Sequence, residues 1–433
     1  MNHPATTIPV SHAAWWHDSS ADSQRGVLAA QIAITGFITG HSWLPNHWLH
    51  LGWLCVVGMC AVGWTDWTKV FASKHADTGL LLTAAFLLWM TLRSSSSDAC
   101  TPEEWQRGMV GVSLLVLFCA LVWQQSGNSK ALHTIGWVMG MTSGLAAMVS
   151  IVLSYFVLPG HHAGERLTNL LVHGGLNPVC TGLIFGFAAV WLSALVENHS
   201  TLLPRRLVWA TIMLLHFAAF LSGSRGAMLA LVCGHAVLFV ARGWRRGAAA
   251  LSVLLITGTI YFTSASLLAE NGTRQDKPAA VIITHHFHKV VERGDNGRLD
   301  IYRAGWNAMD NLWLGTGQWG VRDVWQCELQ PLDDRIMSHL HSAFFATFVH
   351  GGLIGAVLLL ALLGCGVRRA WRISVQGDAT WVALLAFGCG GLLFDGESLA
   401  SLTTAPRFEG LLFWLPLTVA LARGGVTSPV TPA

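Results

Sequence analysis

The chain has 433 residues, of which 53% are hydrophobic and 11% charged, and its formal net charge is +3. Soluble proteins carry about 25% charged residues, so this chain cannot cover a water-soluble surface of this size. Its 26 Lys and Arg against 23 Asp and Glu leave no basic excess for nucleic acid. The composition predicts a polytopic membrane protein that does not bind nucleic acid.

Long apolar runs predict transmembrane helices rather than a β-barrel, because a bilayer core takes about 20 mostly apolar residues per helix. The first run holds two helices, separated by polar and turn-forming residues at 42–47. The uncharged stretches are 26–65, 78–92, 108–129, 131–164, 167–196, 207–224, 226–241, 247–269, 336–367, 379–394 and 410–422. They predict an all-α protein with about twelve spans, nine within 26–269 and three within 336–423.

The distribution of basic residues predicts the orientation. A cytoplasmic N-terminus places thirteen Lys and Arg in the short inner segments and five in the short outer ones. Residues 1–25 are then a cytoplasmic segment without a cleaved signal peptide, and residues 424–433 are a cytoplasmic tail. The segment 270–335 lies outside with 8 Lys and Arg and 10 Asp and Glu. We expect a loop domain with short helices there, where a polar substrate meets the protein.

Charged residues at the outer ends of spans are candidates for function, because burying a charge is costly. Arg225 lies in Ser224-Arg-Gly226, and the small residues beside it would let a ligand approach the backbone. The alternative is an interfacial anchor. Arg298 precedes a predicted helix that runs to about Asp310, and an arginine at a helix N-terminus suits an anion. A solvated loop arginine is the alternative there, and Arg303 and Arg293 are weaker members of the same group.

Two histidines, His339 and His341, precede the tenth span. On a helix they would differ by about 200°, which predicts that one faces a site and the other packs. A histidine can take a proton from a hydroxyl near neutral pH. Asp395 and Glu397, at the outer end of the eleventh span, could orient that imidazole or pair with an arginine, or form an ordinary loop.

Other signals are weaker. His285, His286 and His288 have zinc-like spacing without a further ligand, so no metal is predicted. Cys100 and Cys327 are the cysteines outside the apolar runs, which allows one disulfide or two free thiols. The glycines at 315–320 lack a preceding strand, so we interpret them as a loop turn rather than a nucleotide site.

Four segments together resemble the superfamily of O-antigen ligases, O-antigen polymerases and protein O-oligosaccharyltransferases. The family pattern His-Asn-x-x-Leu followed by Gly-Leu-x-Gly is similar to His341 to Phe345 followed by Gly352-Leu-Ile-Gly355, with Ser342 in place of Asn and Phe345 in place of Leu. His339 is the competing assignment. The other three segments are Ser224-Arg-Gly226, Leu176-Asn-Pro178 before Thr181-Gly182, and Arg298 with Tyr302 and Trp306 before Leu314-Gly-Thr-Gly317. The resemblance covers about residues 165 to 400.

The resemblance implies a membrane-embedded glycosyltransferase of the GT-C type, at the periplasmic face of the bacterial inner membrane. The donor it implies is an undecaprenyl-diphosphate-linked O-antigen, and the acceptor is a sugar hydroxyl of lipid A–core. Neither cofactor nor metal is implied. His341 or His339 would be the general base of an inverting reaction, with Asp395 as orienter. The diphosphate-binding set would be Arg225, Arg298, Arg166, Arg303 and Tyr302.

The architecture favours a ligase among these relatives. Polymerases typically have two large, arginine-rich outer loops, whereas this chain has one, and protein O-oligosaccharyltransferases tend to have a larger soluble C-terminal part. The alternative from another class is a transporter of lipid-linked sugars. Transporters commonly have related halves and broken helices near the midplane, whereas the charges here collect on one side. That asymmetry favours chemistry over transport.

Overall fold

Helices make up the regular structure of the computed structural model, which describes residues 21–65, 77–97, 100–158, 166–172, 177–196, 204–242, 297–309, 311–319, 339–402 and 407–424. No β-strand occurs within these ranges. Seven of the described helices are long and apolar enough to cross a membrane. The chain is therefore an all-α polytopic membrane protein, as predicted.

Helices cover eleven of the twelve predicted spans, and the ninth, 247–269, lies outside the described residues. In chain order they are α1 (Ala21–Trp43), α2 (His47–Trp64), α3 (Thr78–Ser95), α4 (Pro102–Ser126), α5 (Ser129–Val152), α6 (Pro178–Leu195), α7 (Arg205–Leu221), α8 (Arg225–Arg242), α9 (Arg298–Asn307), α10 (Ala343–Val375), α11 (Thr380–Leu392) and α12 (Leu415–Gly424). Helix α9 lies in the predicted outer segment. The full number of twelve spans and the GT-C class stay predictions.

The predicted bounds of two spans are wrong. The sixth span was expected from residue 167, but α6 begins at Pro178, where Asn177 Oδ1 accepts hydrogen bonds from the Val179 and Cys180 amides at 2.9 and 3.0 Å. Residues 166–172 instead form an irregular segment, and the Asn169 amide group donates to Ser42 O at 2.9 Å. The tenth span was expected over 336–367, but residues 339–342 form a turn and α10 continues to Val375. One of the basic residues in this added part of α10, Arg369, pairs with the partly buried Asp77 at 2.7 Å.

Helix α6 occupies the centre of the bundle, with 89% of its span buried by neighbouring helices. It packs against α5, α7, α8 and α11. Edge-to-face aromatic contacts join it to α11: the rings of Phe187 and Phe387 are 5.8 Å apart, and those of Trp191 and Trp381 6.0 Å. Helix α11 also packs along α8, where a Cβ on Gly390 would lie 3.1 Å from Ala230 Cα, so the end of α11 lies beside the start of α8.

Pro416 accounts for the π-helical turn Gly410–Trp414 that leads into α12. A proline has no N–H to donate to the carbonyl four residues earlier, and an enlarged turn accommodates that loss. The Leu412 carbonyl therefore faces Gly388 of α11, where no side chain would fit. The chain segment just before this turn consequently lies beside the end of α11.

Candidate active site

A sharp turn before α10 brings His339 and His341 together. His341 has a φ of 54°, a left-handed conformation that is uncommon for a residue with a side chain. The two imidazole ring centroids are 4.1 Å apart. The prediction that only one of them can face the site is wrong, because it assumed helical geometry where the chain makes a turn. Helix α10 begins only at Ala343, where Ser342 Oγ caps it by accepting from the Phe345 amide at 3.2 Å.

Asp395, three residues after the end of α11, lies against both imidazoles. Its Oδ1 is 3.3 Å from His339 Nε2 and 3.6 Å from His341 Nδ1. The same oxygen accepts a hydrogen bond from the Gly396 amide at 2.9 Å. The Asp395 carbonyl accepts from the Ala343 amide at 3.1 Å, which ties the end of α11 to the start of α10. The carboxylate is only 2% exposed.

Electrostatics favour an ionised Asp395 paired with a protonated His339. Burial alone would raise the pKa of Asp395, but the hydrogen bonds from His339 and His341 outweigh it and hold that pKa below its usual value. Burial alone would lower the pKa of His339, but the hydrogen bond to Asp395 and the carboxylate's charge outweigh it and raise that pKa. These opposite shifts are the ones expected of an ion pair.

Helix α9 brings Arg298 and Tyr302 to the same end of α10. Arg298 is its first residue, after Gly297 in a left-handed conformation. The Tyr302 ring lies 4.8 Å from the Phe345 ring, and Gly305 lets α9 approach Leu340 closely. Burial raises the pKa of Tyr302, the charge of Arg298 lowers it and that of Asp395 raises it. The Tyr302 hydroxyl therefore lies within electrostatic reach of both charges.

Helix α8 presents Arg225 in the same way, as its first residue. Ser224 Oγ accepts from the Ala227 amide at 3.2 Å and caps the helix. A Cβ on Gly226 would lie 3.4 Å from the Cβ of Phe394, so the residue after Arg225 contacts the residue before Asp395. Both predicted arginines thus stand at a helix N-terminus, where free amides already favour an anion.

The remaining predicted donor-binding residues are placed differently. Arg166 Nε donates to Ser222 O at 2.6 Å, which holds it at the turn before Arg225. Arg303 pairs with Asp300 at 3.4 Å on the exposed face of α9, and its side chain is 72% exposed. Among the five residues, Arg225 and Arg303 are exposed, whereas Arg166, Arg298 and Tyr302 are partly buried.

His339, His341 and Asp395 are also the described residues best placed to hold a metal ion, since one ligand atom from each lies within 4.8 Å of the others. Three protein ligands with a free position would suit a catalytic zinc. The same three groups serve equally as a hydrogen-bonded acid–base unit. The histidines at 285–288 and Arg293 lie outside the described residues, as does Cys327, so the choice between a Cys100–Cys327 disulfide and two free thiols stays open.

Sequence reasoning missed two residues that support this region. Arg93, at the end of α3, donates to Gly315 O through Nη2 at 2.8 Å and holds the loop after α9. That loop is a turn, as interpreted, with Gly315 and Gly317 both at positive φ. Glu409 accepts from the Glu397 amide at 2.9 Å behind Asp395. Arg93 is one of the five basic residues predicted outside, and no motif marks either residue.

The family model described as O-antigen ligase matches residues 209–360. This region contains most of α7, all of α8 and α9, and the first half of α10, and it includes Arg225, Arg298, His339 and His341. Asp395 and Arg166 lie outside it. No curated protein matches the chain. The family match, which covers about a third of the chain, confirms the resemblance predicted from the motifs.

Proposed function

We propose that the chain is an O-antigen ligase that transfers a glycan from undecaprenyl diphosphate to a sugar hydroxyl of lipid A–core. The reaction would take place at the periplasmic face of the bacterial inner membrane. The observation that supports it best is the joint geometry of one buried carboxylate, Asp395, against two imidazoles, with helix N-termini that carry Arg225 and Arg298 nearby.

His341 is the better candidate for the general base. Its Nδ1 faces Asp395, so a proton on Nδ1 would leave the lone pair of Nε2 for the acceptor hydroxyl, as in other carboxylate–histidine pairs. The contact of 3.6 Å is long, but such hydrogen bonds often shorten when substrate binds. His339 uses Nε2 on the same carboxylate and is less exposed, at 18% against 26%. A His339 that carries the proton of the ion pair would not accept another.

The arginines would bind the leaving group. As the acceptor oxygen bonds to the anomeric carbon, the bond from that carbon to the diphosphate oxygen breaks, and the hydroxyl proton passes to His341 Nε2. Undecaprenyl diphosphate departs with the bonding electrons. Arg225 and Arg298 would stabilise that developing negative charge, since a guanidinium binds phosphate oxygens in bidentate fashion. Fixed arginine charges would do this without a metal ion.

A reconstituted transfer assay tests the proposal. The full chain in lipid vesicles receives undecaprenyl-diphosphate-linked O-antigen and lipid A–core, with and without chelator, and the products are read as a lipopolysaccharide ladder. We expect a ladder in both conditions. His341→Ala should lower the rate by about 10²- to 10⁴-fold, the usual contribution of a general base, and His339→Ala should lower it less.

The same assay with other acceptors distinguishes the related activities. Glycan transfer to a second lipid-linked glycan would indicate a polymerase, and transfer to a protein would indicate an O-oligosaccharyltransferase. Loss of the ladder with chelator, restored by zinc, would contradict the metal-independent mechanism. A folded protein that binds the donor and transfers it to none of these acceptors would contradict the proposal altogether.

A further inference from the structure

A second buried carboxylate lies directly behind Asp395. Glu409 immediately precedes the π-helical turn that leads into α12, and it is only 5% exposed. One of its oxygens, Oε1, accepts a hydrogen bond from the Glu397 amide at 2.9 Å. Burial of a carboxylate is costly unless a specific interaction compensates for it. Apolar packing cannot compensate for the burial of Glu409, so a polar interaction such as this hydrogen bond must do so.

The partner of Glu409 is the turn that carries Asp395. Gly396, in the middle of this turn, has a φ of 97°, and its amide donates to Asp395 Oδ1. A Cβ on Gly396 would lie 3.4 Å from Glu409 Oε1 and 3.0 Å from the Cβ of Ala343. Glu409 thus contacts two consecutive residues of the turn, Gly396 by packing and Glu397 by a hydrogen bond, while α10 contacts it from the other side.

The charges around Glu409 belong to the same unit. Asp395 and Glu397 act on it from the turn, and burial with these two charges raises the pKa of Glu409 to about 7, although hydrogen bonds from backbone amides oppose the shift. Its own charge contributes to the raised pKa of His339. It also acts on Arg407, two residues earlier, and on Cys180 of α6. The carboxylate is therefore coupled to the imidazole–carboxylate pair without contacting an imidazole.

We propose that Glu409 is a positioning residue of the transfer reaction: its Oε1 holds the turn Asp395–Glu397 and so keeps the Asp395 carboxylate against both imidazoles. This inference rests on the proposed function. Glu409 does not touch the reacting atoms in this role. It acts through the Glu397 amide, and its effect reaches His341 by way of Asp395.

The test compares Glu409→Ala with Glu409→Gln in the reconstituted full chain. Glutamine keeps an oxygen that can accept from the Glu397 amide, whereas alanine removes it. Glu409→Ala should lower kcat by roughly 100-fold, the effect of about 1 Å of misplacement, with the KM for the donor unchanged because the arginines are untouched. Glu409→Gln should restore most of the lost rate.

Asp77→Ala is the matched control. Asp77 is also a largely buried carboxylate, but it pairs with Arg369 at the opposite end of α10. Its loss should lower thermal stability and leave kcat per folded molecule unchanged. A parental kcat in Glu409→Ala, or an equal loss in Glu409→Gln, would overturn the inference.

The parent chain and His341→Ala, measured beside these variants, separate the proposed function from the positioning role. If the parent chain transfers glycan to none of the acceptors, the proposed function itself fails, and if His341→Ala stays active, His341 is not the general base. If His341→Ala is inactive while Glu409→Ala is fully active, only the positioning role fails.

Discussion

The backbones of Gly315 and Gly352 lie against each other. The segments Leu314–Gly317 and Gly352–Gly355, which are separate motifs in the sequence, are therefore in contact. A Cβ on Gly352 would lie 2.6 Å from Gly315 N, and a Cβ on Gly315 would lie 2.6 Å from Val349 O. Both glycines have positive φ, and Gly352 forms a kink inside α10. The kink lets the Gly317 amide and the Leu353 amide make hydrogen bonds between the loop and the helix, at 2.9 Å each. The loop after α9 is thereby fixed to the helix that carries the histidine turn.

Substitution of Gly352 should therefore destabilise the protein. Gly352→Ala combines a left-handed backbone with a steric clash and should cost about 1–3 kcal/mol. Gly364→Ala, in the same helix with no atom within 4 Å of its Cβ, is the matched control. It should be neutral or stabilise by up to about 1 kcal/mol. Apparent Tm values in one detergent measure both, and equal values for the two variants would contradict the contact.

Ser342 should tolerate asparagine and not alanine. Its side chain caps α10, and serine and asparagine cap helices about equally well, whereas alanine costs about 1 kcal/mol. This equivalence explains how serine can stand where the family pattern has asparagine. We expect Ser342→Asn to keep the parental rate and Tm, and Ser342→Ala to lower both. An inactive Ser342→Asn would show that the hydroxyl does something other than capping.

Lysine at position 225 or 298 should only partly preserve the activity that Arg225 or Arg298 supports. Lysine keeps the charge but loses the planar fork, so each change should lower kcat/KM for the donor by about 10- to 100-fold, the value of a charged hydrogen bond. Arg107→Lys, an exposed arginine paired with Glu103 on α4, serves as the control. Initial rates over a donor series measure the effect. Parental kinetics in both lysine variants would exclude bidentate binding.

Stability should depend on pH through His339 and Asp395. The pKa of His339 is raised in the folded state, so protonated His339 contributes to the free energy of unfolding. This contribution is complete below pH 6.5 and is lost as the pH rises through the folded-state pKa. The pKa of Asp395 is lowered in the folded state, so ionised Asp395 also contributes to the free energy of unfolding. This contribution is present above pH 3.8 and is lost as the pH falls through the folded-state pKa. Asp395→Asn should therefore be most destabilising, relative to the parent, between these two pH values, with a smaller difference in alkali.

Asp77→Asn is the control for this pH dependence. Asp77 pairs with Arg369 at 2.7 Å, and arginine does not titrate in this range. The stability difference between Asp77→Asn and the parent should stay constant around neutral pH. Apparent Tm values across a buffer series measure both variants. If the Asp395→Asn difference is as constant as that of Asp77→Asn, the histidine is not part of an ion pair.

The sequence predicted most helices because apolar runs of bilayer length have few other structures available. The start of α6 was placed at residue 167 by the apolar run, although Asn177 and Pro178, which cap the helix and begin it, resemble the entry to a span. The pairing of the two histidines was not predictable, because it depends on the left-handed backbone of His341, which no local pattern reports. Glu409 was missed for a related reason. Its partner is the backbone amide of Glu397, and a backbone amide cannot be recognised from the sequence because nearly every residue has one.

Charge pairs fasten both ends of this bundle, and contacts between backbone amides and carbonyls reinforce the end that carries the histidine turn. The partly buried pairs Asp77–Arg369 and Asp378–Arg423 lie at one end of α10 to α12, and the histidine turn lies at the other. Acid removes carboxylate charges, whereas it leaves contacts between amides and carbonyls intact. We therefore expect strong acid to separate the far helix ends first. A spectroscopic label there would report unfolding at a higher pH than a label beside Gly352, so a single melting curve would not describe both ends of the protein.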